Sequence, residues 1–418
     1  MNARETLLEM IEAEKERILD FLTVFIRHPT PNPPGETVAA AGFITDFLER
    51  EGVPWRVVAP EPTMPNIIGT LETGRPGRHL VLNGHIDVFP VGEVPEEEGW
   101  TTDPWGAERR DGAIYGRGAA DMKAGTSASI WTYVLLSRLM GDLKGRLTLT
   151  CVSDEETFGP WGARWLMANE PEVRGDCCLN GEPSSPYSVR YGEKGPLWLT
   201  FTIRTPGGHG AYTHASPSAT RLAMRLIQDL ETLEDLDFPV PHNLMRAQTG
   251  AEGRAATDRA MGEGAADVLP KVTLNIGTIK GGLKNNMIPH TCIFEADIRL
   301  PVGVGRAQVM AEVEKIAARH PHARFVEDRC NEPSWCDPHG EMMEIIRETV
   351  VSLGRARPVP VVSIGGTDAR LWRYEGIPAY VYGPAPTGMG GADEHVEIDE
   401  FMHVLRTHVL SAHAYLTA

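Results

Sequence analysis

Arg78-His79-Leu80-Val81-Leu82-Asn83-Gly84-His85-Ile86-Asp87-Val88 reads as a buried strand that ends in polar residues. A second run, Gly145-Arg146-Leu147-Thr148-Leu149-Thr150-Cys151-Val152, ends the same way, in Ser153-Asp154-Glu155-Glu156. Between them, residues 124–140 (AGTSASIWTYVLLSRLM) form a mostly apolar helical pattern. Strands alternating with helices predict an α/β layer architecture with a mostly parallel sheet. Polar groups then gather where such sheets carry function, at the C-terminal ends of the strands.

The pattern changes near Lys194-Gly195. Residues 197–205 (LWLTFTIRT) read as a strand and 216–233 as a helix with a Ser-Pro start. Two paired strands follow at 271–282 and 290–300, then a helix at 305–320 and a strand at 323–329. This β-α-β-β-α-β order predicts a ferredoxin-like α+β domain. After it, residues 341–354 return to helix and 378–384 to a buried strand. The expected organisation is therefore a catalytic domain, 1–194 and 333–418, with a second domain, 195–332, inserted into it. The polar, Gly/Ala-rich stretch from about Phe238 to Pro270 receives no element.

Length and charge narrow the function. A chain of 418 residues exceeds an ordinary single domain. Its formal net charge of -17 argues against a nucleic-acid partner, which demands basic patches. No apolar run approaches the roughly 18–20 residues that span a bilayer. Residues 1–22 read as an amphipathic surface helix rather than a secretory signal. The six cysteines lack zinc-finger or CxxC spacing, and the adjacent Cys177 and Cys178 are poorly placed for a mutual disulfide. Reduced thiols in a cytoplasmic protein are the expectation.

Five segments carry candidate chemistry. In Gly84-His85-Ile86-Asp87, the His and Asp two apart share a face, which suits a metal-binding imidazole oriented by a carboxylate. Taken alone, that segment is better read as a hydrogen-bonded His at a strand end. Asp121, between Gly116-Arg117-Gly118-Ala119-Ala120 and an apolar helix, could be a ligand or a helix cap. The run Asp154-Glu155-Glu156 would repel itself at the end of a buried strand unless a multivalent cation lay nearby. Glu182 stands at a further strand end, and His395 in the Gly-rich loop Gly391-Ala392-Asp393-Glu394-His395. Two His and several carboxylates suit zinc, cobalt or manganese.

The ordered set GHIDV, GRGAADMKAG, SDEETFG, GEPS, TPGGHGAYTHASP, NNMIP, EADIR and DEHVEID resembles the M20 metallopeptidase family over nearly the whole chain. That resemblance implies a hydrolase with two divalent metal ions, zinc first among them and cobalt or manganese as alternatives. It implies that Asp121 bridges the two ions, that His85 and Glu182 complete one site, and that Glu156 and His395 complete the other. It further implies Glu155 as general acid/base, Asp87 as the partner of His85, and a cis Asp121–Met122 peptide. The inserted domain would be a lid and dimerisation surface of a homodimer. His209 would stabilise the oxyanion across the interface, with His214 as an alternative. Asn286 and Arg299 would hold a substrate carboxylate, although a surface ion pair would equally explain Arg299. Thr367, in Gly365-Gly366-Thr367-Asp368, is a candidate substrate contact. The expected activity is cleavage of the amide bond of an N-acyl amino acid or small peptide-like molecule. Two other readings are a catabolic aminohydrolase of the same fold and a non-catalytic metal-binding or scaffold protein. The intact Glu155 argues against the last.

Overall fold

The computed structural model describes residues 3–238 and 250–418. It divides into two compact units. One comprises residues 1–191, 336–361 and 367–418, and the other residues 192–335 with 362–366. The second unit is thus three residues longer at each end than the sequence suggested, and it also includes residues 362–366, the end of the strand Val359–Ser363 and the bend after it.

In the first unit a mixed sheet runs in the order Arg56–Val58, Asn66–Glu72, Arg146–Val152, His79–His85, Cys177–Asn180, Ala379–Val381, Ser188–Glu193. Its centre is parallel. His79–His85 lies between Arg146–Val152 and Cys177–Asn180, and Ala379–Val381 continues beside the latter. Register brings the three strand ends level, with His85 opposite Val152 and Asn83 opposite Asn180. The segments that follow, 153–156 and 181–182, therefore leave the sheet at the same edge as His85.

Both faces of this sheet are covered, so its central strands are apolar without alternation. The helix Ala124–Ser137 is buried on all sides among the residues preceding its last. It approaches the sheet closely because Gly125 meets Gly181 backbone to backbone. A Cβ on Gly125 would lie 1.9 Å from the Gly181 carbonyl oxygen. The N-terminal segment forms two helices, Ala3–Ala13 and Lys15–Ile26. The second buries Ile18, Leu19, Phe21, Leu22, Phe25 and Ile26 and belongs to the core, which corrects the expected surface helix. Its apolar face repeats at helical spacing but is too wide for a surface element.

The second unit holds an antiparallel four-stranded sheet in the order Thr273–Gly281, Thr291–Leu300, Gly195–Arg204, Ala323–Cys330. Residues on one face alternate strictly inward. Leu197, Leu199, Phe201, Ile203, Phe294 and Ile298 pack against the helices Ala219–Glu231 and Arg306–Ala318. Numbered along the chain, the strands stand 4-1-3-2, as the β-α-β-β-α-β reading predicts. Residues 239–249 of the Phe238–Pro270 stretch lie outside the described residues. Its remainder holds the helices Ala251–Met261 and Ala265–Val268, which the sequence reading missed. All six cysteines are free, and no described helix is long and apolar enough to cross a membrane.

Candidate active site

The level strand ends assemble a compact donor group. His85 Nε2 lies 3.2 Å from Asp121 Oδ1 and 3.2 Å from Glu182 Oε1. One donor atom from each of the three falls within 4.8 Å of the others, the spacing of ligands around a single ion. Each is aimed by its surroundings. His85 Nδ1 is 2.8 Å from the Asp87 main-chain carbonyl, so the ring donates there and turns Nε2 toward the two carboxylates. Asn180 Oδ1 accepts the Glu182 N–H at 2.8 Å, and its amide nitrogen donates to Asn83 Oδ1 at 2.7 Å. The Asp121–Met122 peptide is cis, as the resemblance implies. Two residues on, the buried Lys123 amine donates to the carbonyls of His28 and Phe25, at 2.7 and 3.1 Å.

Asp87 was expected to orient His85 through its carboxylate. Its main-chain oxygen does so instead, and the carboxylate Oδ1 lies 3.6 Å from the ring. The Asp87 carboxylate accepts the backbone N–H groups of Glu155 and Glu156, at 3.2 and 3.1 Å, and the Asn32 amide at 2.8 Å. The turn it holds is tight. Asp154 has φ +68, in the left-handed region, and its own carboxylate is tied to Thr157, Asn32 and the Trp161 N–H. This turn separates the two glutamates. Glu155 Oε1 faces Arg370 Nη1 at 3.4 Å. Glu156 Oε1 is buried with no hydrogen-bond partner among the described residues.

The electrostatics are those of a crowded anionic pocket. Burial pushes Glu155 well above the usual carboxylate range, aided by the charges of Asp368 and Glu182 and opposed by His85 and Arg370. Burial and then the Asp121 charge raise Glu156 and Glu182. Burial opposes charge on His85, but Glu182, Asp121 and Asp87 outweigh it and raise its pKa. Burial would likewise raise Asp121, yet its hydrogen bond to His85 holds it low. Carboxylates that raise one another's pKa are what a bound divalent cation relieves. The donor set of one imidazole and two carboxylates fits such an ion.

His395 is not brought to this group. Its ring stacks on Tyr115, with centroids 4.5 Å apart, and its Nδ1 bonds the Asp393 carbonyl at 2.8 Å. The neighbouring Glu394 faces the Asp121 loop in its place. The second ligand set implied by the resemblance, Asp121 with Glu156 and His395, is therefore not assembled in this structure. The physical reason is the side of the chain on which each residue falls, which the loop sequence does not reveal.

The remaining candidates are not members of the donor group. Thr367 is buried in the first unit, where its hydroxyl accepts the Ala369 N–H at 3.2 Å and its carbonyl accepts from Arg370. In the second unit, the exposed His209 pairs with Met287 in a short two-stranded ladder, next to Asn286, whose carbonyl accepts the Gly210 N–H at 2.7 Å. Arg299 is held by Asp297, its Nη2 and Nε at 2.8 and 3.1 Å from one carboxylate oxygen, so the ion-pair alternative is realised in the free chain. Sequence reasoning gave no role to Asn32, Arg117, Arg370 or Glu394. Arg117 and Glu394 stood inside quoted motifs, and a charged residue in a Gly-rich loop beside a ligand was the available signal. Asn32 and Arg370 carried none.

Comparison with known proteins identifies the family to which the chain is similar. The model of peptidase family M20/M25/M40 matches residues 81–413. A succinyl-diaminopimelate desuccinylase from Cereibacter sphaeroides is 30% identical over 374 residues, which are 86% of this chain and 87% of its own. One from Xylella fastidiosa is 28% identical over 388 residues, covering 91% and 93%. Among solved structures, an M20 family metallo-carboxypeptidase from Sulfolobus solfataricus superposes with a TM-score of 0.81 at 17% identity, covering 96% of this chain and 99% of that one. A dinuclear metal-binding M20 peptidase from Bacillus subtilis gives 0.67 at 16% identity, covering 97% and 99%. With the family model spanning most of the chain and the donor group at its strand ends, this protein belongs to peptidase family M20/M25/M40 and is a metallohydrolase.

Proposed function

We propose that the chain is a metal-dependent amidohydrolase that removes an acyl group from an N-acylated amino acid or closely related small amide bearing a carboxylate. The observation that carries this reading is the group His85, Asp121 and Glu182 beside the separately held Glu155. A structural metal site needs ligands but no further buried carboxylate held beside them outside the ligand group. The desuccinylase names of the relatives support the deacylase class.

His85, Asp121 and Glu182 would hold a divalent cation, and their mixed nitrogen and oxygen donors favour zinc, with cobalt or manganese as alternatives. Such an ion, when bound, polarises a carbonyl and acidifies water. Glu155 takes the proton of the attacking water and delivers it to the leaving amine. Its raised pKa suits both halves of that transfer, because a strongly acidic carboxyl would hold the proton too weakly to pass it on. Asp87 fixes the Glu155 backbone, and Arg370 limits where its carboxylate can lie. Asn286 and Arg299 are the proposed contacts for the substrate carboxylate, with Arg299 exchanging Asp297 for the substrate. Thr367 would act through its backbone, since its hydroxyl is engaged by the Ala369 N–H. The working form would be a cytoplasmic homodimer, in which His209 reaches the partner's site. The six unpaired thiols support a reducing compartment.

The test is a screen of N-succinyl, N-acetyl and N-formyl amino acids and dipeptides, with the chain stripped by chelation and reloaded with zinc, cobalt or manganese. Release of free amine that depends on the ion supports the reading. Undiminished turnover after metal is shown by elemental analysis to be gone would overturn it.

A further inference from the structure

Nitrogen is unevenly supplied around Asp121. On one side His85 lies within 3.2 Å of it, with Glu182 completing the group. On the other side Glu156 is half-buried, and its buried Oε1 lacks any hydrogen-bond partner among the described residues. The only histidine expected there, His395, is turned away.

The turning is enforced. Glu394 is fully buried, and its Oε1 accepts the N–H groups of Ala120 and Asp121, each at 3.0 Å. Its Oε2 accepts from Arg117 Nη1 at 2.6 Å, and Arg117 is itself buried, with a second bond to the Gly390 carbonyl and its guanidinium over the Trp100 ring. Adjacent side chains on an extended chain face opposite sides, so Glu394 and His395 cannot both face Asp121. His395 starts the strand His395–Glu397 opposite Tyr115, and the ladder continues with Val396 opposite Ile114. Bringing His395 inward needs a one-residue slip of that ladder. The slip would strip Glu394 of three hydrogen bonds and leave the Arg117 charge buried and unpaired.

We propose that each chain retains a single divalent ion, at His85, Asp121 and Glu182, and that the position between Asp121 and Glu156 does not hold a second one tightly. This inference rests on the metal-dependent reading above and departs from the two-ion expectation. Two carboxylates without an imidazole form an oxygen-only position. Zinc prefers mixed nitrogen or sulfur donors, so it exchanges readily from such a position. The stoichiometry then follows from which side of the chain Glu394 and His395 occupy.

The test measures metal rather than turnover. The full chain, His395→Ala, His85→Ala and Glu182→Gln are loaded with zinc, dialysed against metal-free buffer and assayed by elemental analysis. Circular dichroism confirms that each variant is folded. One zinc per chain is expected in the unmodified protein and in His395→Ala, with most of it lost in His85→Ala and in Glu182→Gln. A cobalt titration of the stripped protein, followed by visible absorption, should break at one equivalent. Two retained ions per chain, or loss of an ion in His395→Ala, would overturn the proposal and leave the metallohydrolase reading intact. No retained metal in the unmodified protein would overturn both.

Discussion

The carboxylate of Asp87 accepts the backbone N–H of Glu155 at 3.2 Å, and that of Glu156 at 3.1 Å. One buried side chain thus fixes the two residues whose separation the chemistry requires, while its own carbonyl aims His85. Asp87→Asn keeps the shape but replaces one acceptor oxygen by a donor that faces other donors. The expected result is a fall in kcat of about 10–100-fold, the usual range for a group that orients a ligand shell. Because the His85 bond comes from the main chain, zinc content should stay near that of the unmodified protein. Loss of the metal with little change in kcat per bound ion would show that Asp87 acts through His85 instead.

Glu155→Gln should keep the ion and lose turnover by about 10²–10⁴-fold, the contribution of a positioned acid/base. The carboxylate is within 3.4 Å of Arg370 and belongs to no ligand group, so metal content has no reason to fall. Elemental analysis beside steady-state kinetics checks both halves. A variant that loses metal in proportion to activity would make Glu155 a ligand.

Gly125→Ala tests the backbone approach that brings the Asp121 and Glu182 loops together. The added Cβ would meet the Gly181 carbonyl oxygen at 1.9 Å, and neither backbone can yield without shifting its ligand. Overpacking of this kind costs about 1–3 kcal/mol or more. A lowered denaturant midpoint together with weaker zinc retention is expected. An unchanged midpoint would mean that the helix Ala124–Ser137 can slide without cost.

The sequence pattern put His85, Asp121 and Glu182 at one edge of the sheet, while their grouping as ligands came from the family resemblance. Each follows an apolar run or a Gly-rich turn that ends at the same sheet edge, and strand pattern plus parallel topology is enough to predict that edge. His395 was not legible. It stands one residue from Glu394, and which of two neighbours faces inward depends on a ladder with Tyr115 that loop composition does not encode. Arg370 was hidden for a related reason: it comes from the short helix Ala369–Tyr374, and its nearness to Glu155 is set by tertiary packing across 215 residues. The inserted domain was readable because its two central strands, Gly195–Arg204 and Thr291–Leu300, alternate strictly. The helix Ala251–Met261 was not, since its Gly and Ala content carries little periodicity.

His408 makes the fold sensitive to acid independently of the metal. It is fully buried, its Nε2 donates to the Tyr382 carbonyl at 2.6 Å, and its Nδ1 has no partner among the described residues. A second proton would place an unsatisfied cation in the core, and burial lowers the pKa from 6.5 to about 4. Above the unfolded value neither state gains a proton and stability is complete. As pH falls from 6.5 towards 4, the unfolded chain binds a proton that the folded chain refuses, and stability drops by up to about 3 kcal/mol. His408→Gln keeps a donor for Tyr382 without the titration, so its urea midpoint should fall less steeply over that window. Parallel pH profiles for the variant and the unmodified protein would count against this account.

His209 supplies the most direct test of assembly. It lies in the second unit, exposed, in the ladder between Gly208–His209 and Met287–Ile288, and far in sequence from every residue of the donor group. If a two-fold homodimer carries it to the partner's site, each site combines Glu155 of one chain with His209 of the other. His209→Ala should then lose about 10²–10³-fold in kcat, the range for one oxyanion donor, with a smaller change in KM. Mixing inactive His209→Ala with inactive Glu155→Gln separates the two arrangements. In a heterodimer, the His209→Ala chain keeps its own Glu155 and receives His209 from its partner, so one of the two sites is whole. Free exchange of equal amounts makes about half the dimers mixed, and activity should return to about a quarter of the unmodified level. If His209 instead serves its own chain, the Glu155→Gln chain still lacks its base and the His209→Ala chain its donor. Exchange demonstrated by mass-labelled subunits with no recovery of activity would therefore assign His209 to its own chain. A strictly monomeric species with full activity in sedimentation would give the same assignment without any mixing.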